Sequence, residues 1–166
     1  MESSVRAAGM MLDTWAARTS LLLVREPVIT LIYASSATSF VSTDALQALL
    51  VQSRANNTRL GITGMLLYKD GNFMQVLEGD EAAVTTLYAR ITHDPRHYGI
   101  MHVIRRTIGQ RHFSDWSMAF RNLDDPAVRA LPAYSPFLNT PLTDPGFIGK
   151  PNLAFTLLRT FKESIR

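Results

Sequence analysis

A chain of 166 residues, 46% of them apolar, holds enough material for one packed domain with flanking segments and is too apolar for a disordered chain. Its 17 Lys and Arg against 14 Asp and Glu give a formal charge of +3, without the basic run that marks a nucleic-acid surface. The absence of cysteine excludes disulfides, thiolate metal sites, cysteine nucleophiles and iron–sulfur clusters, and no apolar run approaches the ~20 residues of a membrane span, so a soluble cytoplasmic protein is expected.

Residues 1–26 read as an N-terminal extension, helical or partly disordered. Met11, Trp15, Arg18 and Leu22 fall at helix-like spacing, and Leu21-Leu22-Leu23-Val24 is too short for the apolar part of an export signal. From Pro27 the pattern sharpens. Val28-Ile29-Thr30-Leu31-Ile32-Tyr33-Ala34 is apolar and β-branched, and Ser35-Ser36 bounds it, so it predicts a buried strand. Ser42 or Thr43 caps the next segment, and Leu46, Leu49, Leu50 and Ser53 recur at helical spacing, predicting a helix over 43–55 with Asn57 just beyond it.

A second strand runs from Gly61 to Tyr68. Asp70-Gly71 then separates two apolar runs, the composition of a two-residue hairpin turn. The return strand is Phe73-Met74-Gln75-Val76-Leu77-Glu78. Asp80 stands at the cap of a second helix whose face is Val84, Leu87, Tyr88 and Ile91, and Pro95 ends it. Residues 100–108 predict a fourth strand with Arg105 and Arg106 on a wet face, and Trp116 to Phe120 a fifth. Prolines 126, 132, 136, 141 and 145 mark a linker, and Ala154, Leu157, Leu158, Phe161 and Ile165 form the stripe of a last helix. The order β-α-β-β-α-β-β is an α+β, ferredoxin-like arrangement. Two helices are expected on one face of its antiparallel or mixed sheet and the C-terminal helix on the other.

Enzymatic constellations are thin, and no catalytic residue is assigned. Neither a phosphate-binding glycine loop nor a Gly-x-Ser-x-Gly elbow is present. His93 and His97 have the spacing of a helical metal pair, but Pro95 interrupts the helix this spacing needs, so no metal is expected. Glu78, before a glycine at a strand end, reads as a solvated or capping carboxylate. Gln75 stands out. It shares a strand face with Phe73 and Leu77, where an unpaired amide costs ~1–3 kcal/mol. First and third strands are central neighbours in this fold, so Tyr33 is a natural partner: a phenol and an amide satisfy each other.

In order, the chain carries Leu31-Ile32-Tyr33-Ala34-Ser35, Asn56-Asn57, Gly61-Ile62-Thr63-Gly64, Phe73-Met74-Gln75-Val76-Leu77-Glu78-Gly79, Asp94-Pro95-Arg96-His97 and Trp116-Ser117-Met118. This series resembles the BLUF domain, the FAD-binding blue-light sensor, over residues 27–121. The resemblance implies FAD as cofactor, Tyr33 as the electron donor to excited flavin, and Gln75 as the amide that links tyrosine to flavin and rearranges. It implies that Asn57 holds the carbonyl and imide edge of the ring, that Asn56 lies beside the ring or ribityl chain, and that Arg96 and His97 lie beside the flavin. Trp116 and Met118 match the two residues tied to signalling. Residues 122–166 become a linker and output helix, addressing a downstream protein or a second copy of the chain. Pro95 inside the Asp-x-Arg-His stretch departs from the pattern and bears on the placement of Arg96 and His97.

Two other readings fit a ferredoxin-like sheet. An RNA-binding module needs basic and aromatic residues on a central strand, where this chain has Gln75 and Leu77. An acylphosphatase-like enzyme needs a glycine-rich loop and an arginine after the first strand, where Ala34-Ser35-Ser36-Ala37-Thr38 offers neither.

Overall fold

The computed structural model describes residues 27–126 together with Thr143, Phe155, Thr156 and Leu158. The expectations for the extension 1–26, for most of the linker and for most of the last helix lie outside the described residues.

Strand β1 (Val28–Ala37) is an interior strand of a five-stranded sheet, one place in from an edge. It is followed by α1 (Thr43–Leu60), β2 (Thr63–Lys69), β3 (Asn72–Asp80), α2 (Glu81–Thr92), β4 (His97–Thr107) and β5 (Ala119–Asn122). The strand order is β4-β1-β3-β2-β5, antiparallel throughout except that β5 runs parallel to β2. This is the ferredoxin-like α+β fold with a mixed sheet, in the element order read from the sequence.

Several boundaries moved, each for a local reason. The first strand does not stop at Ser35-Ser36. Ser36 pairs with both Asn72 and Tyr98, so ladder bonds on both sides carry the strand to Ala37. The first helix continues past residue 55 to Leu60 and takes in Asn56 and Asn57. It ends where Gly61 adopts a left-handed φ of 64°, which glycine reaches without a Cβ penalty. Ser42 caps this helix, its hydroxyl accepting from the Ala45 amide at 3.2 Å. Asp80 sits at the cap of α2 but makes no side-chain capping bond. The Glu81 amide donates instead to the Pro27 carbonyl at 3.1 Å. Asp70 and Gly71 both take positive φ, 48° and 76°, the mirror-image turn whose twist suits a tight hairpin.

Strand β4 starts at His97 rather than at 100, and β5 starts at Ala119, which leaves Trp116 and Met118 in the loop before it. Arg105 and Arg106 do not share one wet face. Arg105 reaches Glu81 and Thr85 on the helix side, and Arg106 covers Phe155 on the other.

Strand alternation sorts the sheet into two cores. On one face Ile29, Leu31, Tyr33, Leu66, Phe73 and Leu77 meet Leu46 and Leu50 of α1 and Val84, Leu87, Tyr88 and Ile91 of α2. On the opposite face Ile32, Met65, Leu67, Met74 and Val76 meet Phe113, Leu123 and Leu158, with Trp116 and Phe155 packed against them. The face that an RNA-binding module would present is therefore covered.

Candidate functional site

Residues Tyr33 and Gln75 are register partners across β1 and β3, and both project to the helix side. The Tyr33 hydroxyl donates to Gln75 Oε1, and both residues are buried. Burial, chiefly, and the neighbouring Tyr88 and Asp94 push the Tyr33 phenol far above its ordinary range, so it holds its proton and acts as a donor. The Tyr88 ring lies 5.4 Å from the Tyr33 ring, tilted by 53°. At its other end the Gln75 amide donates from Nε2 to Met118 Sδ at 3.4 Å. A thioether is a weak acceptor, so one end of this amide is well satisfied and the other poorly.

Tyr33 and Gln75 stand on the wall of a cavity of about 440 Å³ between α1, α2 and the sheet. Asn56, Asn57, Arg96 and His97 line the same cavity, so six of the residues singled out in the sequence converge on one space. Asn57, 2% exposed, points inward from the last turns of α1, and its Nδ2 donates to the Ser117 carbonyl at 2.7 Å. Arg96 is held by Asp94: its backbone N–H and Nε reach Oδ1 at 2.9 Å, and Nη2 reaches Oδ2 at 2.6 Å. That fork lowers the Asp94 carboxyl to about 2. His97 Nε2 donates to the Ile91 carbonyl at 2.8 Å, and His93 Nδ1 donates to that of Ala89 at 2.7 Å. The proline at 95 thus leaves Arg96 and His97 at the cavity, at the entrance to β4 rather than on the helix.

Trp116 and Met118 separate. Met118 is buried on the helix side against Gln75, while Trp116 packs with the core of the opposite face. Two residues escaped the sequence reading. Ser35 follows Tyr33 on the same strand face and lines the cavity, and its hydroxyl is buried without a partner among the described residues. Strand alternation alone could have found it. Glu78, read as a solvated or capping group, is fully buried on the opposite face. There its Oε2 accepts from the amides of His112 and Phe113 at 2.7 and 3.0 Å. Its place in the row Met74, Val76, Glu78 was the available signal.

The flavin implied by the sequence resemblance suits this space. The volume lies within the range of small-molecule sites, ~300–1,000 Å³. Leu49, Leu66, Phe73 and Ile91 offer apolar walls to a flat ring. The Ser35 hydroxyl, without a partner among the described residues, and the Gln75 amide, bonded at one end only to a thioether, are polar groups on the cavity wall that a ligand can satisfy.

Comparison with known proteins agrees. Residues 28–119 match the family described as BLUF, sensors of blue-light using FAD. The chain is 39% identical over 90 residues to photoactivated adenylate cyclase subunit beta of Euglena longa, covering 54% of this chain and 10% of that protein. It is 31% identical over 94 residues to the blue light- and temperature-regulated antirepressor BluF of Escherichia coli, 57% of this chain and 23% of that one. The chain therefore spans about a tenth of the cyclase subunit and about a quarter of the antirepressor. Similarity to two solved structures extends over nearly their whole length. The dark-state structure of BlrB, a BLUF protein, superposes with a TM-score of 0.69 at 31% identity, covering 84% of this chain and 98% of BlrB. The photo-activated state of BlsA does so with 0.62 at 32%, covering 79% and 91%. With this cavity, the Tyr33–Gln75 bond and the family match over more than half its length, the chain belongs to the BLUF family of FAD-using blue-light sensors.

Proposed function

We propose that this chain stores absorbed blue light as a changed hydrogen-bond pattern at Tyr33 and Gln75, and passes it through residues 116–118 to the C-terminal segment. The observation that carries this reading is the Tyr33–Gln75 hydrogen bond on the cavity wall. Asn56, Asn57, Arg96 and His97 would hold the FAD, which would supply the light absorption and an electron acceptor for Tyr33.

The protein's part is to define two states of one amide. In the observed state Oε1 accepts from a phenol that keeps its proton, and Nε2 faces sulfur. Turning the amide brings Nε2 against the phenol and Oε1 against Met118. A thioether cannot donate, so the turned oxygen has no partner at Met118. Among the protein's own groups the observed orientation is therefore favoured, and the turned one returns in darkness. The change is local and needs no covalent bond.

Met118 is the first neighbour to feel it. Its carbonyl accepts from Arg54 Nε at 3.0 Å, and the preceding carbonyls of Ser117 and Trp116 accept from Asn57 Nδ2 and the Gly64 amide. Trp116 packs against the same core as Phe155 and Leu158, which supports the C-terminal segment as the next step of the route. Output then goes to a partner protein or to a second copy of the chain.

The colour of the protein tests the reading. FAD-loaded protein shifts its flavin absorption to the red under blue light and recovers in darkness, and Gln75→Leu keeps the flavin but loses the shift. A chain that fails to take up FAD, or a normal photocycle in Gln75→Leu, overturns it. Deleting 151–166 leaves the photocycle intact and abolishes light-dependent association; unchanged association moves the output elsewhere.

A further inference from the structure

Three positions along β3 from Gln75, and on the opposite face, Glu78 is completely shielded from solvent. A carboxylate in such a place costs several kcal/mol unless its oxygens are bonded. Here Oε2 accepts from the backbone N–H groups of His112 and Phe113, and Oε1 lies 3.2 Å from His112 Nδ1. A carboxylate only accepts, so Nδ1 carries the proton in that contact. Three donors from two consecutive residues converge on one side chain.

The segment fixed in this way ends at Met118. Phe113 is buried in the opposite-face core, and its carbonyl accepts from the Trp116 amide at 3.3 Å, closing a single tight turn. From Trp116 onward every carbonyl is bonded, to Gly64, Asn57 and Arg54 in turn. Residues 112–118 are thus a short, hydrogen-bonded bar, held by Glu78 at one end and lying against Gln75 at the other. At the Glu78 end the His112 ring meets the Phe155 ring edge-on, 4.8 Å between centroids and 85° between planes, and the Arg106 guanidinium lies 4.9 Å over that same ring.

Tied by hydrogen bonds to Glu78 at one end and to Gly64, Asn57 and Arg54 at the other, the segment has little slack in which to absorb a displacement of Met118. We infer that Glu78 is a positioning residue of the light response: it fixes His112 against Phe155, so that a movement of Met118 is delivered to the C-terminal segment instead of being lost within the loop. The inference rests on the output route proposed above. Glu78 touches no cavity residue of the photoactive pair, so its role is separable from the colour change.

The test is hydrogen–deuterium exchange on the FAD-loaded full chain, in darkness and under continuous blue light, read over 112–118 and 151–166. Glu78→Gln keeps the side chain's shape but has only one accepting end for three donors. It retains the red shift, exchanges faster at 112–113 in darkness, and loses the light-minus-dark difference at 151–166 several-fold. His112→Phe, which keeps a ring against Phe155 but removes Nδ1, gives the same split and serves if Glu78→Gln does not fold. A full light-dependent difference at 151–166 in the folded variants overturns the role of Glu78 and leaves the output route standing. No difference at 151–166 in the unaltered chain removes the output route and this inference with it. A red shift lost in Glu78→Gln also overturns it, since Glu78 then acts on the photoactive pair.

Discussion

The two faces of one sheet are built to opposite specifications, and β3 carries both. Toward the helices it presents Phe73, Gln75 and Leu77, beside a cavity and two incompletely satisfied polar groups. Away from them it presents Met74 and Val76 in a closely packed core and then Glu78, whose side-chain oxygens both have partners. A helix face with spare volume and weak bonds admits a ligand and a moving amide. The closely packed opposite face, although it too buries a hydroxyl at Thr30 with no partner among the described residues, transmits force, because close-packed interiors deform little.

That contrast can be broken most directly at Met74. It is fully buried, so Met74→Ala should cost ~2–5 kcal/mol in urea denaturation while leaving the light-induced red shift in place. A lost shift would show that the two faces are not independent. On the helix side Gln75→Leu should cost less, ~1–3 kcal/mol, because it leaves the buried Tyr33 hydroxyl without its acceptor. Adding Tyr33→Phe should recover most of that loss, and a double-mutant cycle measures the recovery.

Alkali addresses the same pair without mutation. Unfolded tyrosine ionises near 10, whereas folded Tyr33 holds its proton well above this. Above the unfolded value the unfolded state binds fewer protons, so stability falls as pH rises beyond about 10. Tyr33→Phe should flatten that slope in denaturation curves taken across the range.

The smallest effect belongs to the cavity rim. The Asp94 carboxyl is lowered by Arg96 from 3.8 to about 2, so its contribution is complete above pH 4 and is lost as pH falls through about 2. The pair is solvent-facing, with the Arg96 side chain 62% exposed, so Asp94→Asn should cost under ~1 kcal/mol. If it instead weakens FAD binding strongly, in a flavin-release titration, the fork is what orients Arg96 toward the cofactor.

Much was legible before any coordinates. Element order followed from periodicity, and Tyr33 opposite Gln75 followed from alternation plus the expected pairing of first and third strands. Ser35 is contained in the same alternation, but a serine pair also reads as a strand boundary, and that local signal hides its place on the cavity face. The ends of elements were the weaker part. Strand β1 runs through its serines because both neighbouring strands bond it, and α1 runs through Asn56 and Asn57 because it ends only where glycine supplies a left-handed residue.

By itself the sequence determined the α+β class, the polar residue at the centre of an apolar strand and the set of residues that share its site. The first two follow from short-range rules, residue type and period, which a single chain displays, and the third from the resemblance of its ordered motifs to the BLUF family. Only the tertiary structure decided that Met118 and not Trp116 lies beside Gln75, and that Glu78 is a buried anchor rather than a wet strand end. Both depend on where a loop some 35 to 45 residues away in the chain folds back over the sheet. Nothing local encodes that contact: it is set by which carbonyls and amides remain to be paired once the strands are in register.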